Sequence, residues 1–474
     1  MAPKAQAWTY NFNEQANGKS AEEEMQDAAQ RFGITLTQNS YGYNLSQLCA
    51  YYRRFVYFSS DYRLDRLAVD FPTLTHVFAG GNERAGCRDA TIEMWGAPGY
   101  GTGTLRAKNV INVAAVNAKG ELTNFSSMGP QSDGRLFPTV AATGDNVYSV
   151  QPPDGYQRMS GTIMACPPAT GHLALLQERY RQLHGGANIR GDVLRAIVAN
   201  TADDAGRRGP DFQYGYGILN AEKAVVSIEQ QYFHTASLQA GETATETINI
   251  PAGCTGLRVM LVWNDPPVAR AYGFEERVMT NDLDLHLKVN GKEYLPWVLK
   301  AAKGHVEDLP TRQVDVLNNI EQVTLSAAEL GGATSVEFVV TGKEVVNGKQ
   351  EYAVAYWFES DDLRLTYPSA GELLEAGGKY LARIDGARGA FTLEISYDGG
   401  NTYAAVARDD AGEAASTVSV PFALPADAPL TSRAVMRIVG QDGRAVSSQG
   451  LFTIAPRPKG LKLTTASCGY DGWS

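Results

Sequence analysis

The chain has 474 residues, with 42 lysines plus arginines against 52 aspartates plus glutamates, and a formal net charge of −10. At roughly 150 residues per domain, this length predicts about three domains, and the acidic balance argues against a nucleic-acid partner. No apolar run approaches the roughly 20 residues of a membrane helix, and the opening residues lack the apolar core of a signal peptide. We therefore expect no membrane span, and the compartment stays unknown.

The five cysteines are scattered, without a CxxC pair or a Cys/His cluster. This pattern implies neither a zinc site nor a disulfide framework. One pair, such as Cys49 with Cys87, stays possible.

Residues 1–228 alternate helix-like and strand-like segments. In chain order the periodicity predicts a helix at 21–32, strands at 34–38, 76–79 and 110–116, and helices at 168–183 and 191–199. This alternation predicts an α/β fold with a parallel sheet and helices on both faces. A ligand would then lie where strands end and helices begin.

From about residue 229, apolar and polar residues alternate, as in 257–263 and 336–340, and helical periodicity disappears. The pattern predicts all-β sandwich domains, one jelly-roll-like at 229–360 and one immunoglobulin- or fibronectin-like at 361–456. In the latter, 396–403 predicts a hairpin turn with two glycines at positive φ. Residues 454–460 have linker composition, and 457–474 are expected to hold a linker and the start of a truncated further domain.

The segment 159–176 carries the strongest chemical signal. A Gly-Thr turn leads directly into a long helix, which presents one side chain at the helix N-terminus. Amides and the helix dipole at such a position stabilise a developing anion. The alternative is an ordinary helix that happens to start with Gly-Thr and an early proline.

Several motifs occur together in one order over about 190 residues. They are Asn39-Ser-Tyr-Gly42, Val77-Phe-Ala-Gly-Gly-Asn82, Lys108-Asn-Val-Ile-Asn-Val-Ala114, Asn124-Phe-Ser-Ser-Met-Gly-Pro130 with Asp133-Gly-Arg135, Gly161-Thr-Ile-Met-Ala165 and Tyr214-Gly-Tyr-Gly-Ile-Leu-Asn-Ala221. In this set the chain resembles the subtilisin-like serine peptidases, or subtilases, in which the fifth motif is Gly-Thr-Ser-Met-Ala.

The resemblance implies a role for each matching position. Asn82 would be the oxyanion-hole residue, and Ile163 stands where the family has its nucleophilic serine. Ser40, Tyr41 and Gly42, together with Ala79, Gly80 and Gly81, would hold an extended peptide or protein substrate.

The three residues of a Ser-His-Asp triad are all missing from these motifs. Ile163 has no nucleophilic atom, and neither Asp-(Ser/Thr)-Gly nor His-Gly-Thr occurs anywhere in the sequence. The family implies a serine endopeptidase, but we expect this chain to be inactive. It would be the later part of a subtilase domain, with strand 34–38 at an open sheet edge, and an N-terminal fragment carrying the Asp and His is conceivable as a partner.

Two other functions stay open. One is a pseudopeptidase that binds an extended peptide by β-augmentation without cleaving it. The other is a non-functional fragment of a larger peptidase. That peptidase would be secreted, because the family is usually secreted or at the cell surface.

Residues 261–267, 280–285 and 315–321 resemble the β-sandwich that follows the catalytic domain in one branch of the subtilases. That branch often holds structural calcium there, which would suit Asp282 and Asp284, with Asp265 as a further oxygen donor. The other interpretation is that both carboxylates are solvated on an edge strand. No other cofactor is expected.

Overall fold

The computed structural model describes residues 2, 4–10, 18–42, 57–103, 105–151, 153, 155–268, 277–346, 348–412 and 416–456. These residues form two compact units, one up to Val147 together with Arg158–Glu359, the other Tyr148–Gln157 together with the residues from Ser360 onward. In the described part of the chain, no helix has the length and apolar character needed to cross a membrane.

The centre of the first unit is a parallel sheet of four strands. They are β1 (Leu36–Asn39), β2 (Thr75–Ala79), β3 (Val110–Val116) and β4 (Val140–Thr143), in the spatial order β1-β2-β3-β4. All residues of β2 and β3 are buried, so these strands are continuous apolar runs, as in sheets covered on both faces. Strands β5 (Val147–Gln151) and β6 (Gly155–Met159) follow in the chain and pair with each other.

Six helices belong to the same part of the chain. They are α1 (Ala21–Phe32), α2 (Ser59–Asp70), α3 (Arg88–Trp95), α4 (Thr162–Leu183), α5 (Gly191–Asn200) and α6 (Ala221–Glu229). Alternate residues of the strands face opposite sides of the sheet, and helices pack on both sides. Val77 and Ile111 pack with α4, α5 and α6, whereas Phe78 and Val110 pack with α1 and α2. The predicted α/β fold with helices on both sheet faces is confirmed.

Helix α4 begins six residues before its predicted start. The periodicity predicts a helix over 168–183, whereas the Gly-Thr turn at 161–162 predicts a helix that begins directly after it. In the structure, Pro167 and Pro168 lie inside the helix, which starts at Thr162. The other predicted boundaries agree with the structure or differ by one or two residues, and α2, α3 and α6 are not among the predicted helices.

The chain continues into a sandwich of two antiparallel sheets. Its elements are β7 (Phe233–Leu238), β8 (Thr243–Asn249), β9 (Cys254–Val262), β10 (Asp282–Val289), β11 (Lys292–Tyr294), β12 (Trp297–Val298), β13 (Thr311–Arg312), β14 (Ile320–Ser326), α7 (Ala327–Leu330), β15 (Ser335–Glu344) and β16 (Gln350–Ser360). One sheet has the order β14-β9-β16-β7 and the other β11-β10-β15-β8, while β12 and β13 form a separate pair. Val259, Leu285 and Phe338 pack together in the apolar core between the two sheets.

The sheet that contains β9 is covered on both faces. Met260 and Val262 of β9, with Ala353 and Ala355 of β16, pack into the same core as helices α4, α5 and α6. All ten residues of α5 are buried, which reflects this double cover. The first compact unit therefore extends past residue 228 and includes the sandwich. The domain boundary predicted at residue 228 stays a prediction.

The second unit is also all-β, as predicted. Its strands are β17 (Arg364–Tyr367), β18 (Leu373–Glu375), β19 (Lys379–Ala387), β20 (Ala390–Ser396), β21 (Ala404–Asp410), β22 (Ser416–Ala423), β23 (Thr431–Gly440), β24 (Ala445–Ser447) and β25 (Phe452–Ala455). The turn between β20 and β21 has Gly399 and Gly400 at φ 80° and 93°, as predicted. Ile454 and Ala455 belong to β25 and not to a linker, and residues 457–474 lie outside the described part of the chain.

The cysteines divide into bonded and free residues. Cys87 is in a disulfide bond, and Cys166 and Cys254 are free. Cys49 and Cys468, and therefore the suggested Cys49 pairing, lie outside the described residues.

Candidate active site

Ile163 is the second residue of α4, at the end of the helix where backbone N–H groups lack intrahelical partners. Its side chain is 38% exposed, which is high for a residue of this size and apolar character. The Ile163 N–H makes no hydrogen bond within the described part of the chain. The position can therefore be reached from solvent, but it presents a hydrocarbon.

Asn82 caps this helix from the segment that follows β2. Its Oδ1 accepts hydrogen bonds from Thr162 N at 2.8 Å and from Thr162 Oγ1 at 3.0 Å. Because a backbone N–H can only donate, this contact fixes which end of the Asn82 amide faces the helix. Asn82 Nδ2 is thus directed away from Thr162 and lies 3.4 Å from where a Cβ on Gly161 would stand.

The segment Ala79, Gly80 and Gly81 is held by internal backbone bonds. Gly80 N donates to Val113 O at 2.9 Å, and Gly81 N donates to Thr162 Oγ1 at 3.0 Å. Gly81 O in turn accepts from Ser127 N. These glycines hold the helix start in place, and the two N–H groups are already used within the chain.

Ser40 reaches the same helix from the end of β1. Ser40 Oγ donates to Ile163 O at 2.9 Å. In an α-helix this carbonyl would accept from the N–H of residue 167, which is a proline and has none. Ser40 thus supplies the donor that Pro167 lacks. The adjacent Tyr41 and Gly42 are exposed, and Tyr41 OH donates to Asn39 Oδ1 at 3.1 Å.

Gly144, which is absent from the predicted site, fixes the approach of the chain to α4. A Cβ at this position would lie 2.6 Å from Gly161 O, 2.8 Å from Ala115 Cβ and 2.9 Å from Ala165 Cβ. Gly144 O also accepts a hydrogen bond from Gly161 N. Only glycine fits, and the signal for it in the sequence is its place directly after a short apolar strand.

No histidine of the described chain, which includes all six, hydrogen-bonds to Ser40, Asn82, Thr162 or Ile163. His76 is the one on the parallel sheet, in β2, and its Nδ1 is 2.9 Å from Thr37 Oγ1. Burial lowers the pKa of His76 to about 4. It is therefore a neutral residue whose Nδ1 is bonded internally, while its buried Nε2 has no partner within the described residues.

Asp282 and Asp284 lie on β10 where it pairs with β15, while β11 pairs with β10 only at residues 287–289, so at these two positions the strand has a paired neighbour on one side. Asp282 is buried, and Arg277 Nη2 lies 3.0 Å from its Oδ2. Burial raises the pKa of Asp282 to about 6 against the opposing effect of Arg277, and burial also raises the pKa of Asp284.

The fit of this pair to calcium is incomplete. Oδ1 of Asp282 and Oδ1 of Asp284 are buried without hydrogen-bond partners, and carboxylate oxygen is the donor that calcium takes. However, within the described residues no three His, Cys, Asp or Glu side chains are arranged to hold a metal ion. Asp265 does not join the pair, because its carboxylate is bonded to Lys108 Nζ, Thr280 N and Asn281 N.

Residues 1–217 match the sequence model of the subtilase family, Peptidase S8. Residues 1–217 belong to the subtilase family.

Individual relatives match over shorter stretches of the chain. Subtilisin DY of Bacillus licheniformis is 33% identical over 116 residues, covering 24% of this chain and 37% of that protein. The PII-type proteinase of Lactococcus lactis subsp. cremoris is 30% identical over 131 residues, covering 23% of this chain and 7% of its own length. The chain thus spans well under half the length of either relative.

Among solved structures, the self-cleaved protease domain of PatA is similar over 44% of this chain and 67% of that chain. The sequence identity is 20% and the TM-score is 0.33.

Proposed function

We propose that this chain is a subtilase-family protein that does not hydrolyse peptides by the serine mechanism of its family. The observation that supports this is Ile163 at the start of α4, where the family motif has serine. The family assignment supports a polypeptide as the class of substrate or partner.

The remaining groups explain what the site can still do. The Ile163 N–H and the outward Asn82 Nδ2 are two donors at the positive end of a 22-residue helix, so they can polarise a carbonyl oxygen. Neither donor can attack the carbonyl carbon, and no pKa shift gives isoleucine a nucleophilic atom. In the subtilisins themselves, loss of the nucleophile lowers turnover by about a millionfold.

The experiment is labelling of the full chain with a fluorophosphonate probe, which forms a covalent bond to an activated serine. We expect no labelling of the wild-type chain and none of an Ile163→Ser variant, because no histidine of the described chain hydrogen-bonds at this position. Ile163→Ala serves as the control for the change in side-chain size. Heat-sensitive, stoichiometric labelling of the wild type would refute the proposal. Labelling of the Ile163→Ser variant, but not of the wild type, would show that a general base is present at this position.

The pseudopeptidase alternative lacks an observation of its own. β-Augmentation needs free backbone groups on the receiving strand. The N–H groups of Gly80 and Gly81 are bonded internally, to Val113 O and Thr162 Oγ1.

A further inference from the structure

A cavity of about 30 Å³ lies within the first unit, away from Ile163. The residues that line it include Asn112 of β3, Arg195 of α5, Asn319 and Ile320 at the start of β14, and also Lys108 and Arg135. Three of the described lining residues are cationic and none is acidic. The cavity is therefore polar and positively charged.

Arg195 is the cation without a matching carboxylate. It is 3% exposed, and its Nη1 and Nη2 donate to two carbonyls, Lys108 O at 2.7 Å and Trp263 O at 2.6 Å. Its Nε is buried and has no hydrogen-bond partner. Burial lowers the pKa of Arg195 to about 10, so the side chain stays charged at neutral pH.

The other two cations of the cavity wall are neutralised locally. Lys108 Nζ lies 2.5 Å from Asp265 Oδ2, and Arg135 Nε lies 2.6 Å from Asp133 Oδ2. Of these three cations, Arg195 is therefore the one that forms no direct ion pair within the described residues.

The nearby carboxylates of Asp192, Asp65 and Asp265 favour the charged form of Arg195, but none of them is hydrogen-bonded to it. Asp192 is bonded to Arg190, and Asp65 accepts from Tyr57 OH and from the backbone N–H groups of Lys108 and Asn109. What Arg195 lacks in the described part of the chain is an acceptor for its Nε–H, and an anion in the cavity would supply it.

We propose that this cavity binds a small monovalent anion, with chloride as the ligand and Arg195 Nε–H as a donor. Asn112 supplies a second observation, since it is 6% exposed and its Oδ1 has no partner. The proposal requires the amide orientation in which Nδ2, the donor, and not Oδ1 faces the ion. One water needs about 10–15 Å³ of such space, so the volume suffices for an ion slightly larger than water.

The anion site joins two parts of the first unit. Asn112 and Arg195 belong to the subtilase part, whereas Asn319 and Ile320 belong to the sandwich. Binding to the native state alone raises its stability with ligand concentration. Chloride should therefore stabilise the packing of the sandwich on the subtilase helices.

The test is the melting temperature of the full chain at constant sodium concentration, with chloride replacing gluconate, an anion too large for the cavity. We expect a saturable rise of several degrees with chloride and with bromide. A crystal grown in bromide should show an anomalous peak at Arg195. Equal melting temperatures in chloride and gluconate would overturn the proposal and leave only water in the cavity.

Two variants locate the effect. Arg195→Gln should abolish the chloride response, but it also removes two carbonyl bonds and can impair folding. Asn112→Asp places a carboxylate in the cavity wall, so it should fold and lose the response. Arg66→Gln, on an exposed arginine of α2, is the matched control and should keep it. An undiminished chloride response in Asn112→Asp would show that the ion binds elsewhere, and so refute the assignment.

Discussion

Replacing Lys108 with methionine should strongly destabilise the first unit, because this lysine is the charged link between the subtilase part and the sandwich. Lys108 Nζ bonds Asp265 Oδ2 at 2.5 Å, Pro266 O at 2.7 Å and Val278 O at 2.9 Å. The two side chains of the ion pair are 1% and 0% exposed. Methionine fills the volume but leaves the Asp265 charge buried and without its cation.

Removing one partner of a buried ion pair typically costs about 3–5 kcal/mol. We expect a loss within this range, since Asp265 keeps only the backbone donors Thr280 N and Asn281 N. Asp265→Asn in the same background removes the uncompensated charge. The double variant should therefore be less destabilised than the sum of the two single variants.

Urea unfolding followed by tryptophan fluorescence measures this effect, because Trp95, Trp263, Trp297 and Trp357 all belong to the first unit. The control is Arg66→Met, which breaks the exposed pair with Asp70 and should change the free energy of unfolding by no more than about 1 kcal/mol. A loss below about 1 kcal/mol for Lys108→Met, or full additivity in the double variant, would refute this account of the junction.

Four further outcomes are expected. Gly144→Ala should lower the melting temperature sharply or prevent folding because its Cβ has no room, whereas Gly155→Ala, with its nearest neighbour atom at 3.7 Å, should be tolerated. Hydrogen bonds from Thr402 and Ser396 hold the pKa of Asp398 well below its ordinary value of 3.8. This carboxylate therefore stabilises the second unit above pH 3.8, and its contribution falls as the pH is lowered further. Asp398→Asn should make the melting temperature less dependent on pH in the acid range. Burial lowers the pKa of His76 from 6.5 to about 4. The stability that neutral His76 contributes to the first unit is therefore present above pH 6.5 and is lost as the pH falls towards 4, by up to about 3 kcal/mol. His76→Gln should weaken this acid dependence of the unfolding free energy in urea titrations. Calcium at Asp282 and Asp284 stays a prediction. The full chain should melt several degrees higher in millimolar calcium than in chelator, and Asp284→Asn should remove the difference. Coincident melting curves would contradict calcium binding and leave Arg277 as the counter-ion of this pair.

The segments that the sequence locates well carry their own local signals. Helix α1 is predicted with its observed bounds; it has a capping box between Ser20 and Glu23, and Gly33 ends it in the left-handed conformation. Strand β3 is a run of seven residues, mostly apolar, and it too is predicted residue for residue. In both cases the residues that determine the element lie within or beside it.

The misplaced features depend on residues that are distant in sequence. The start of α4 is set by Asn82, 80 positions before Thr162, and by Ser40, which compensates for Pro167. Likewise, nothing around Lys108 indicates that its charge is buried, because its partner Asp265 is 157 positions away. Such contacts exist only after the chain has folded, so local periodicity and propensity could not reveal them.

The contacts that build the candidate site do not involve the side chain of residue 163. Asn82 and Gly81 bind Thr162, and Ser40 binds the carbonyl of residue 163, which every amino acid has. Gly144 likewise packs against a backbone atom, the carbonyl oxygen of Gly161. The contacts that hold the start of α4 and the side chain at position 163 are therefore separate properties of the sequence. Because of this separation, isoleucine can occupy the exposed position at the start of α4 while the surrounding strand, asparagine and helix keep their arrangement.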